Sequence, residues 1–220
     1  MKPRLKKIIS PFLQWWFKKH YTKPRLFSHQ NIDITIVPGV FPPQYTFSTK
    51  LLLKHLETLN IKGKTFLELG CGSGIISLIA VKKKALVTAT DINEKALNEL
   101  EKSAVKNGLK LKIIKSDLFD NITESHFDYI FINPPYYPKA PKSIEENAWF
   151  CGENFEYFEE LFQQLPKYIQ SKNNVIMILS KDCNIEKIQS IANSNNMNLN
   201  TIKVEKKIWE TNYIFRVTKK

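Results

Sequence analysis

Glycine, cysteine and histidine are scarce in this chain of 220 residues, which contains seven, three and four of them respectively. Cys71, Cys151 and Cys183 are far apart and no two have CxxC spacing, which excludes a disulfide framework and a cysteine-based zinc site. The histidines form no metal-ligand pattern, so no metal is expected. Unpaired cysteines are typical of a reducing compartment, and we expect the protein to be cytoplasmic.

Long apolar runs are also missing. No stretch approaches the ~18 uninterrupted apolar residues that a membrane-spanning helix needs, so no transmembrane segment is expected. The basic, apolar beginning resembles a signal peptide, but Pro11 and Gln14 interrupt its apolar stretch and no small-residue cleavage site precedes Lys18 and Lys19. We therefore do not expect export.

Acidic residues are few near the beginning of the chain. The whole sequence has 33 Lys and Arg against 21 Asp and Glu, a formal net charge of +12. Residues 1–40 contain eight of these basic residues and a single acid, Asp33. Such a segment indicates an acidic partner, which could be nucleic acid, the ribosome or an anionic membrane, although solubility alone would also explain it.

The sequence divides at about residue 40. We interpret residues 1–40 as a basic arm and residues 41–220 as the folded domain. Apolar residues in the arm recur at the spacing of an amphipathic helix, although Pro11 weakens that helix; they are Leu5, Ile8, Ile9, Phe12, Leu13 and Trp16. Such a helix could pack on the domain, touch a membrane surface or flank a substrate groove.

The domain alternates between strand-like and helix-like runs. Residues 32–37, at the end of the arm, already alternate like a short strand. In the domain, residues 49–56 are predicted to form a helix capped by Ser48 or Thr49. Strands are then predicted at 64–69, 86–90, 111–115, 127–132, 174–179, 199–208 and 212–218, and helices at 74–84, 93–107, 154–170 and 184–194. This order predicts an α/β fold, with a mostly parallel seven-stranded sheet and helices on both faces. The last two strands are joined so closely that they must be antiparallel.

A glycine-rich turn follows the strand at 64–69 and runs into a helix. It reads Glu68-Leu-Gly70-Cys71-Gly72-Ser-Gly74. Glycines let the backbone turn sharply and approach a ligand closely, and the following helix offers free N–H groups. The spacing is GxGxG and differs from the dinucleotide fingerprint GxGxxG, so a purely structural turn remains the alternative.

Acids follow the next two strands. Asp91, followed by Ile92, comes 21 residues after Gly70 and could accept both ribose hydroxyl protons, unless it caps the next helix. Asn93 is the better cap by position, which frees Asp91. Asp117 could accept from an adenine amino group while Leu118 packs on the ring, or it could be an ordinary loop acid. All these groups fall at carboxyl ends of strands, where open α/β sheets bind ligands.

The strand at 127–132 ends in Asn133-Pro134-Pro135-Tyr136. Two prolines make a stiff turn without N–H groups, so this turn is rich in hydrogen-bond acceptors. The Asn133 side-chain oxygen and the Pro134 carbonyl could hold the two hydrogens of a planar –NH2 and aim its nitrogen at an electrophile. Tyr136 could stack on the planar group. A plain proline-rich turn is the alternative.

In this order, these motifs resemble those of class I S-adenosylmethionine (SAM) methyltransferases of the Rossmann-like fold that act on planar amino nitrogens. The likeness covers about residues 40–218 and is greatest to the release-factor glutamine methyltransferases of the HemK/PrmC type. This chain has only Cys151-Gly152-Glu153-Asn154 where that family has a segment richer in glycine. It has Phe41-Pro-Pro-Gln-Tyr-Thr-Phe47 where the family usually carries an acid.

The resemblance implies a SAM-dependent N-methyltransferase with a cofactor site and an acceptor site. The cofactor site would comprise Glu68, Gly70, Cys71, Gly72 and Gly74 around the methionine part, Asp91 and Ile92 at the ribose, and Asp117 and Leu118 at the adenine. The acceptor site would comprise Asn133, Pro134, Pro135 and Tyr136, with Phe47 at the entrance. The expected acceptor is a glutamine side chain in a protein partner, either a release factor or a ribosomal protein.

The sequence is also compatible with other classes of methyl acceptor. The first alternative is an adenine or guanine amino group in structured rRNA or tRNA, which the basic arm and its aromatic residues favour. A small-molecule acceptor and a cofactor-binding fold without catalysis are further alternatives, and the intact NPPY sequence argues against the last. The sequence does not determine the oligomeric state.

Overall fold

The computed structural model describes residues 22–43, 46–207 and 210–220. Its centre is a seven-stranded sheet with the order β5-β4-β3-β6-β7-β9-β8. The strands are β3 (Thr65–Leu69), β4 (Leu86–Asp91), β5 (Lys112–Lys115), β6 (Tyr129–Ile132), β7 (Asn174–Ser180), β8 (Met197–Lys206) and β9 (Thr211–Lys219). The five strands from β3 to β7 are parallel, and β9 is antiparallel to both β7 and β8. The predicted fold class and the antiparallel final pair are confirmed.

The central strands form because their residues are apolar on both sides. In β3 and β7 all residues but the first are buried. This near-continuous burial is typical of a parallel sheet covered by helices on both faces. The chain order reverses beside β3, whose neighbours β4 and β6 lead away in opposite directions. A crevice at the carboxyl ends of the strands is expected at such a reversal.

Two layers of helices cover this sheet. The helices are α1 (Phe47–Thr58), α2 (Ile75–Lys82), α3 (Glu94–Lys106), α4 (Glu156–Gln164) and α5 (Ile185–Ser194). One hydrophobic cluster joins α1, α2 and α3 to the sheet through buried residues such as Leu52, Leu78 and Leu100. A second cluster joins α4 and α5 through Phe158 and Ile188. Since both faces are covered, the groups of the sheet that a ligand can reach lie at the ends of its strands.

The helix ends depart from prediction in two places. The cap of α1 is the extended residue Thr46, whereas Ser48 and Thr49 lie inside the helix and are buried. The sequence shows only a run of hydroxyl residues and not which of them is extended, so the predicted cap was wrong. The predicted helix at 154–170 is split into α4 and a 3₁₀ turn, Leu165–Lys167. Pro166 lacks the N–H that a continuing helix would need.

A small antiparallel hairpin precedes the sheet. It joins β1 (Arg25–His29) to β2 (Ile32–Ile36). Alternate isoleucines of β2 are buried in the cluster beneath α1, α2 and α3. Asp33 and Asn107 tie the hairpin to the end of α3, since Asp33 N donates to Asn107 Oδ1 at 3.0 Å.

Part of the predicted arm therefore packs on the domain. β1 was not predicted, because its residues lack a strong apolar alternation. The predicted amphipathic helix lies outside the described residues, and the division at residue 40 stays a prediction. No helix within the described residues is long and apolar enough to cross a membrane.

Candidate active site

A cavity of about 310 Å³ lies at the carboxyl ends of β3, β4, β5 and β6. Its lining includes most of the predicted site residues, namely Glu68, Gly70, Cys71, Gly72, Asp91, Ile92, Asp117, Leu118, Asn133, Pro134, Pro135 and Tyr136. Residues that are up to 68 positions apart in the chain meet there because parallel strands bring their carboxyl ends to one edge.

The glycines of the first turn have different roles. Gly70 has φ +72°, and a Cβ added there would meet no atom within 4 Å, so its backbone is open to the cavity. Gly74 has φ +70°, and its added Cβ would lie 2.3 Å from Leu100 Cδ1. Gly74 is the cap of α2 and does not line the cavity. It serves packing between α2 and α3, whereas Gly70 leaves space beside a ligand.

Asp91 holds the turn in place. Its Oδ2 accepts from Gly72 N at 2.7 Å and its Oδ1 accepts from Asn93 N at 2.8 Å. Asn93 caps α3, accepting from Lys95 N at 3.1 Å, which leaves Asp91 free of that role as predicted. Burial raises the pKa of Asp91, and these backbone N–H groups oppose that rise. Each oxygen retains a second lone pair with which to accept from a ligand hydroxyl.

Glu68 is almost fully buried beneath the same turn. Its Oε2 accepts from Ser77 N at 2.8 Å and from the Ser77 hydroxyl. Burial raises its pKa to about 8, and the nearby charge of Asp91 adds to the rise. Near neutral pH the carboxyl group is therefore largely protonated without a ligand. A cationic ligand in this cavity would favour the ionised form.

The third strand end forms a tight loop around Ser116. Leu118 is buried and has a positive φ of 39°. The Ser116 hydroxyl donates to the Leu118 carbonyl at 3.0 Å and accepts from Asn121 N at 3.0 Å. These bonds position Asp117 and Leu118 at the cavity. Partial burial raises the pKa of Asp117, and Asp120 adds to this shift.

The NPPY turn forms the other side of the cavity. Among the described residues, the side-chain amide of Asn133 has no hydrogen-bond partner. Tyr136 is packed against Tyr137, with ring centroids 4.9 Å apart. Burial raises the pKa of the Tyr136 hydroxyl far above its usual range, so that group stays protonated. The turn thus offers neutral acceptors and an aromatic ring.

Two segments that the sequence analysis did not assign to the site cover the cavity. Residues 39–43 approach from before α1, and residues 137–152, here called the strap, follow the NPPY turn. The rings of Phe41 and Trp149 meet at 4.6 Å. Glu145 of the strap accepts from Lys95 of α3 at 2.9 Å. This closure depends on contacts between distant segments, and neither segment carries a motif that would reveal it.

Phe47 is outside the cavity lining, and its predicted place at the entrance stays a prediction. Thr49, two residues later, does line the cavity. The Phe47 ring lies beneath Lys207 Nζ, which is 4.1 Å from its centroid. Phe47 begins α1, so its direction follows the phase of that helix, which the sequence motif did not define.

The Methyltransferase small domain family matches residues 20–203, which is most of the chain. The chain belongs to the small-domain methyltransferase family. Relatives support this assignment. One, from Methanocaldococcus jannaschii, is provisionally named as a protein N5-glutamine methyltransferase and is 34% identical over 72% of this chain and 80% of its own length. Ribosomal RNA small subunit methyltransferase C of Haemophilus influenzae (strain PittEE) is 40% identical over 74% of this chain and 52% of its own length.

The small-domain methyltransferase spans about half the length of its ribosomal relatives. Solved structures share its fold. The E. cuniculi Mtq2–Trm112 complex, described as methylating the termination factor eRF1, matches with a TM-score of 0.62 and 21% identity over 83% of this chain and 99% of that one. A T. thermophilus 16S rRNA guanine-N2 methyltransferase bound to AdoMet and guanosine matches with a TM-score of 0.61 and 18% identity. That match covers 90% of this chain and 51% of the other.

These findings confirm the predicted enzyme class, a SAM-dependent N-methyltransferase, and its cofactor. The cavity fits that cofactor in two respects. Gly70 leaves open space next to the backbone, as close approach by a ligand requires. Two carboxyl groups, Glu68 and Asp91, face a cavity that would hold a cationic molecule with ribose hydroxyls. The roles of the individual residues stay predictions.

Proposed function

We propose that this methyltransferase acts on a planar amide or amino nitrogen, and that the acceptor is a glutamine side chain of a translation protein. The observation that carries the proposal is the Asn133 amide at the cavity, next to the Pro134 carbonyl and without a partner among the described residues. Both oxygens are acceptors, and a planar –NH2 group has two hydrogens to donate.

The cofactor half of the site would hold SAM through the residues already described. When bound, SAM supplies a methyl group on a positively charged sulfur. Asp91 would accept from the ribose hydroxyls, and Asp117 would accept from the adenine amino group while Leu118 packs on the ring. Glu68 and the turn from Gly70 to Gly72 would lie next to the methionine part.

The acceptor half would orient the substrate nitrogen. Accepting both N–H hydrogens at Asn133 Oδ1 and the Pro134 carbonyl fixes the plane of the substrate group and turns the nitrogen lone pair toward the cavity. Pro135 keeps the turn stiff, and the Tyr136 ring covers the planar group. The strap lines the same cavity, and water that it keeps away from a bound substrate would no longer compete for these hydrogen bonds.

Glutamine as the acceptor is supported by the relative provisionally named as a protein N5-glutamine methyltransferase, which is 34% identical over 72% of this chain. The second candidate, a guanine amino group in rRNA, is favoured by the 40% identity to that ribosomal relative and by the net charge of +12. Both acceptors present the same planar –NH2 chemistry.

The deciding experiment identifies the methylated product. Purified protein is incubated with methyl-labelled SAM and ribosome-containing extract from cells that lack the enzyme, in parallel with the Asn133→Ala variant. The product is then divided between protease and RNase digestion. Acid hydrolysis of the protein fraction releases methylamine from a methylated amide, and nucleoside digestion of the RNA fraction releases a methylated base.

Label that protease removes, together with labelled methylamine, would support glutamine. Label that RNase removes would overturn glutamine and establish the RNA acceptor. Label that survives the Asn133→Ala substitution in either fraction would contradict the role given to the NPPY turn.

A further inference from the structure

A row of basic residues begins beside the mouth of the cavity and follows α1. Lys50 and Lys54 lie three and seven positions after Phe47, so the three side chains share one stripe of the helix. Both lysines are exposed. The stripe starts close to the cavity, because Thr49 in the first turn of the same helix lines it.

The end of β8 adds two more lysines to this stripe. Lys207 Nζ lies 4.1 Å from the ring centroid of Phe47, so Lys207 lies over the first turn of α1. Lys203 lies near His55, two turns further along. Burial lowers the pKa of His55, and the positive charge of Lys203 lowers it further. Lys50, Lys54, Lys203 and Lys207 therefore form one surface, here called the lysine face.

The positive charge of the lysine face is not neutralised. None of its four lysines forms an ion pair with a described residue, and residues 1–21, 44–45 and 208–209 contain no Asp or Glu. Some lysines elsewhere form ion pairs, as Lys64 does with Asp128 and Lys112 with Glu124.

Two acids lie close to this surface. Alternation along β8 places Glu205 on the same side as Lys203 and Lys207, and Glu210 closes the turn by accepting at its carbonyl from Lys207 N at 2.7 Å. Neither carboxylate lies within 4 Å of a lysine of the face. The surface therefore keeps a net positive charge next to the cavity mouth.

We propose that the lysine face binds the phosphate backbone of RNA and holds it beside the methyl-transfer site. Lysine ammonium groups on flexible stems suit a chain of phosphates, which needs charge but no shaped pocket. A peptide would need an acidic side chain at each matching position, whereas every nucleotide of an RNA chain carries a phosphate, so a row of four lysines favours RNA. This inference goes beyond the proposed function, since RNA bound here could carry the acceptor itself or a protein that contains it.

The test compares two variants of equal charge. The first replaces all four lysines of the face with glutamine. The matched control replaces four exposed lysines at the opposite end of the parallel strands, Lys62, Lys110, Lys172 and Lys219. Binding of a fluorescein-labelled single-stranded 20-nucleotide RNA is measured by anisotropy between 50 and 300 mM KCl, with a labelled poly-glutamate peptide as a second probe. SAM affinity and thermal melting verify that both variants fold.

The face variant is expected to bind RNA at least tenfold more weakly at 100 mM KCl. The slope of log K against log[KCl] should become shallower by about 3. Each phosphate contact of a single strand contributes about 0.7 to the magnitude of this slope, and the variant loses up to four contacts. The control should change affinity by less than threefold. Equal weakening in both variants would overturn the proposal in favour of overall charge. Unchanged RNA binding in the face variant would also overturn it, and loss of poly-glutamate binding alone would point to an acidic protein instead.

These outcomes are independent of methyl transfer. RNA and SAM binding are measured without an acceptor, so failure to methylate glutamine would leave this result standing. Conversely, loss of RNA binding with normal methylation of a free protein substrate would separate the lysine face from the transfer site.

Discussion

The two halves of the cavity use their polar groups in different ways. In the cofactor half, both carboxylate oxygens of Asp91 and one oxygen of Glu68 are bonded to backbone N–H groups of the chain. In the acceptor half, the Asn133 amide has no partner among the described residues. The first half is organised before any ligand arrives, whereas the second leaves hydrogen bonds for a substrate to complete.

This difference has a physical basis. A mobile cofactor must meet a site that already has its shape, because each group ordered on binding costs affinity. Transfer, in contrast, gains from groups that interact most strongly with the reacting nitrogen. Substitutions in the acceptor half should therefore affect rate, and substitutions in the cofactor half should affect affinity and stability.

The largest effect is expected for Asn133→Ala. Loss of one of the two acceptors that orient the nitrogen should lower kcat by about 10³-fold, which corresponds to ~4 kcal/mol. SAM affinity, measured by calorimetry, should stay within threefold. Asn133→Asp keeps an acceptor oxygen and should retain more activity than the alanine variant. Equal loss of SAM binding and transfer would place Asn133 in the cofactor half.

Gly74→Ala should reduce stability next most strongly. Its Cβ would lie 2.3 Å from Leu100 Cδ1 at a φ of +70°, so overpacking and backbone strain together should cost about 3 kcal/mol in urea denaturation. Gly70→Ala is the matched control, since its φ is +72° but no atom lies within 4 Å. It should cost about 1 kcal/mol of stability and mainly weaken SAM binding. Similar destabilisation by the two would contradict the separate roles of these glycines.

Glu68→Gln should change how stability depends on pH. The folded protein raises the pKa of Glu68 from 4.5 to about 8, so between these values the folded state holds a proton that the unfolded state has lost. The free energy of unfolding should therefore fall as pH rises from 5 to 8 in the unsubstituted protein. Glutamine cannot ionise, so the variant should gain up to about 1.4 kcal/mol per pH unit relative to the unsubstituted protein across this window. Parallel curves from denaturation at several pH values would show that Glu68 ionises normally.

Asp91→Ala should weaken SAM binding at least tenfold, or about 1.4 kcal/mol, because it removes the expected acceptor for the ribose hydroxyls. Asp128→Ala is a suitable control. Asp128 accepts from Thr65 N at 2.9 Å at the amino end of β3, far from the cavity, so its loss should affect stability alone. Unchanged SAM affinity in Asp91→Ala would limit Asp91 to holding the glycine turn.

The smallest effect concerns the strap. The Lys95 ammonium group lowers the pKa of Glu145 to about 2, so the pair persists above that pH and is lost as pH falls through it. Because both side chains are partly exposed, Glu145→Gln should cost only about 0.5 kcal/mol of global stability. A looser strap should instead raise the rate of SAM dissociation a few-fold in stopped-flow measurements, and an unchanged rate would show that the ion pair does not hold the strap.

The residues at the strand ends were easier to predict than the segments around them. Gly70, Asp91 and Asp117 each follow a strand that its own apolar residues reveal, and parallel strands necessarily bring their ends together. The strap was missed because its position depends on Phe41 meeting Trp149 and Lys95 meeting Glu145, pairs separated by 108 and 50 residues.

The sequence by itself determined the α/β class, the order of the motifs along the chain and the acceptor-rich composition of the turn at Asn133. Those features depend on local periodicity and on residue types whose properties do not change with context. Only the tertiary structure decided that Gly74 serves packing, that burial raises the pKa of Glu68 and that four distant lysines share a face. Steric contact, desolvation and charge clustering arise between segments, and they exist only once the chain is folded.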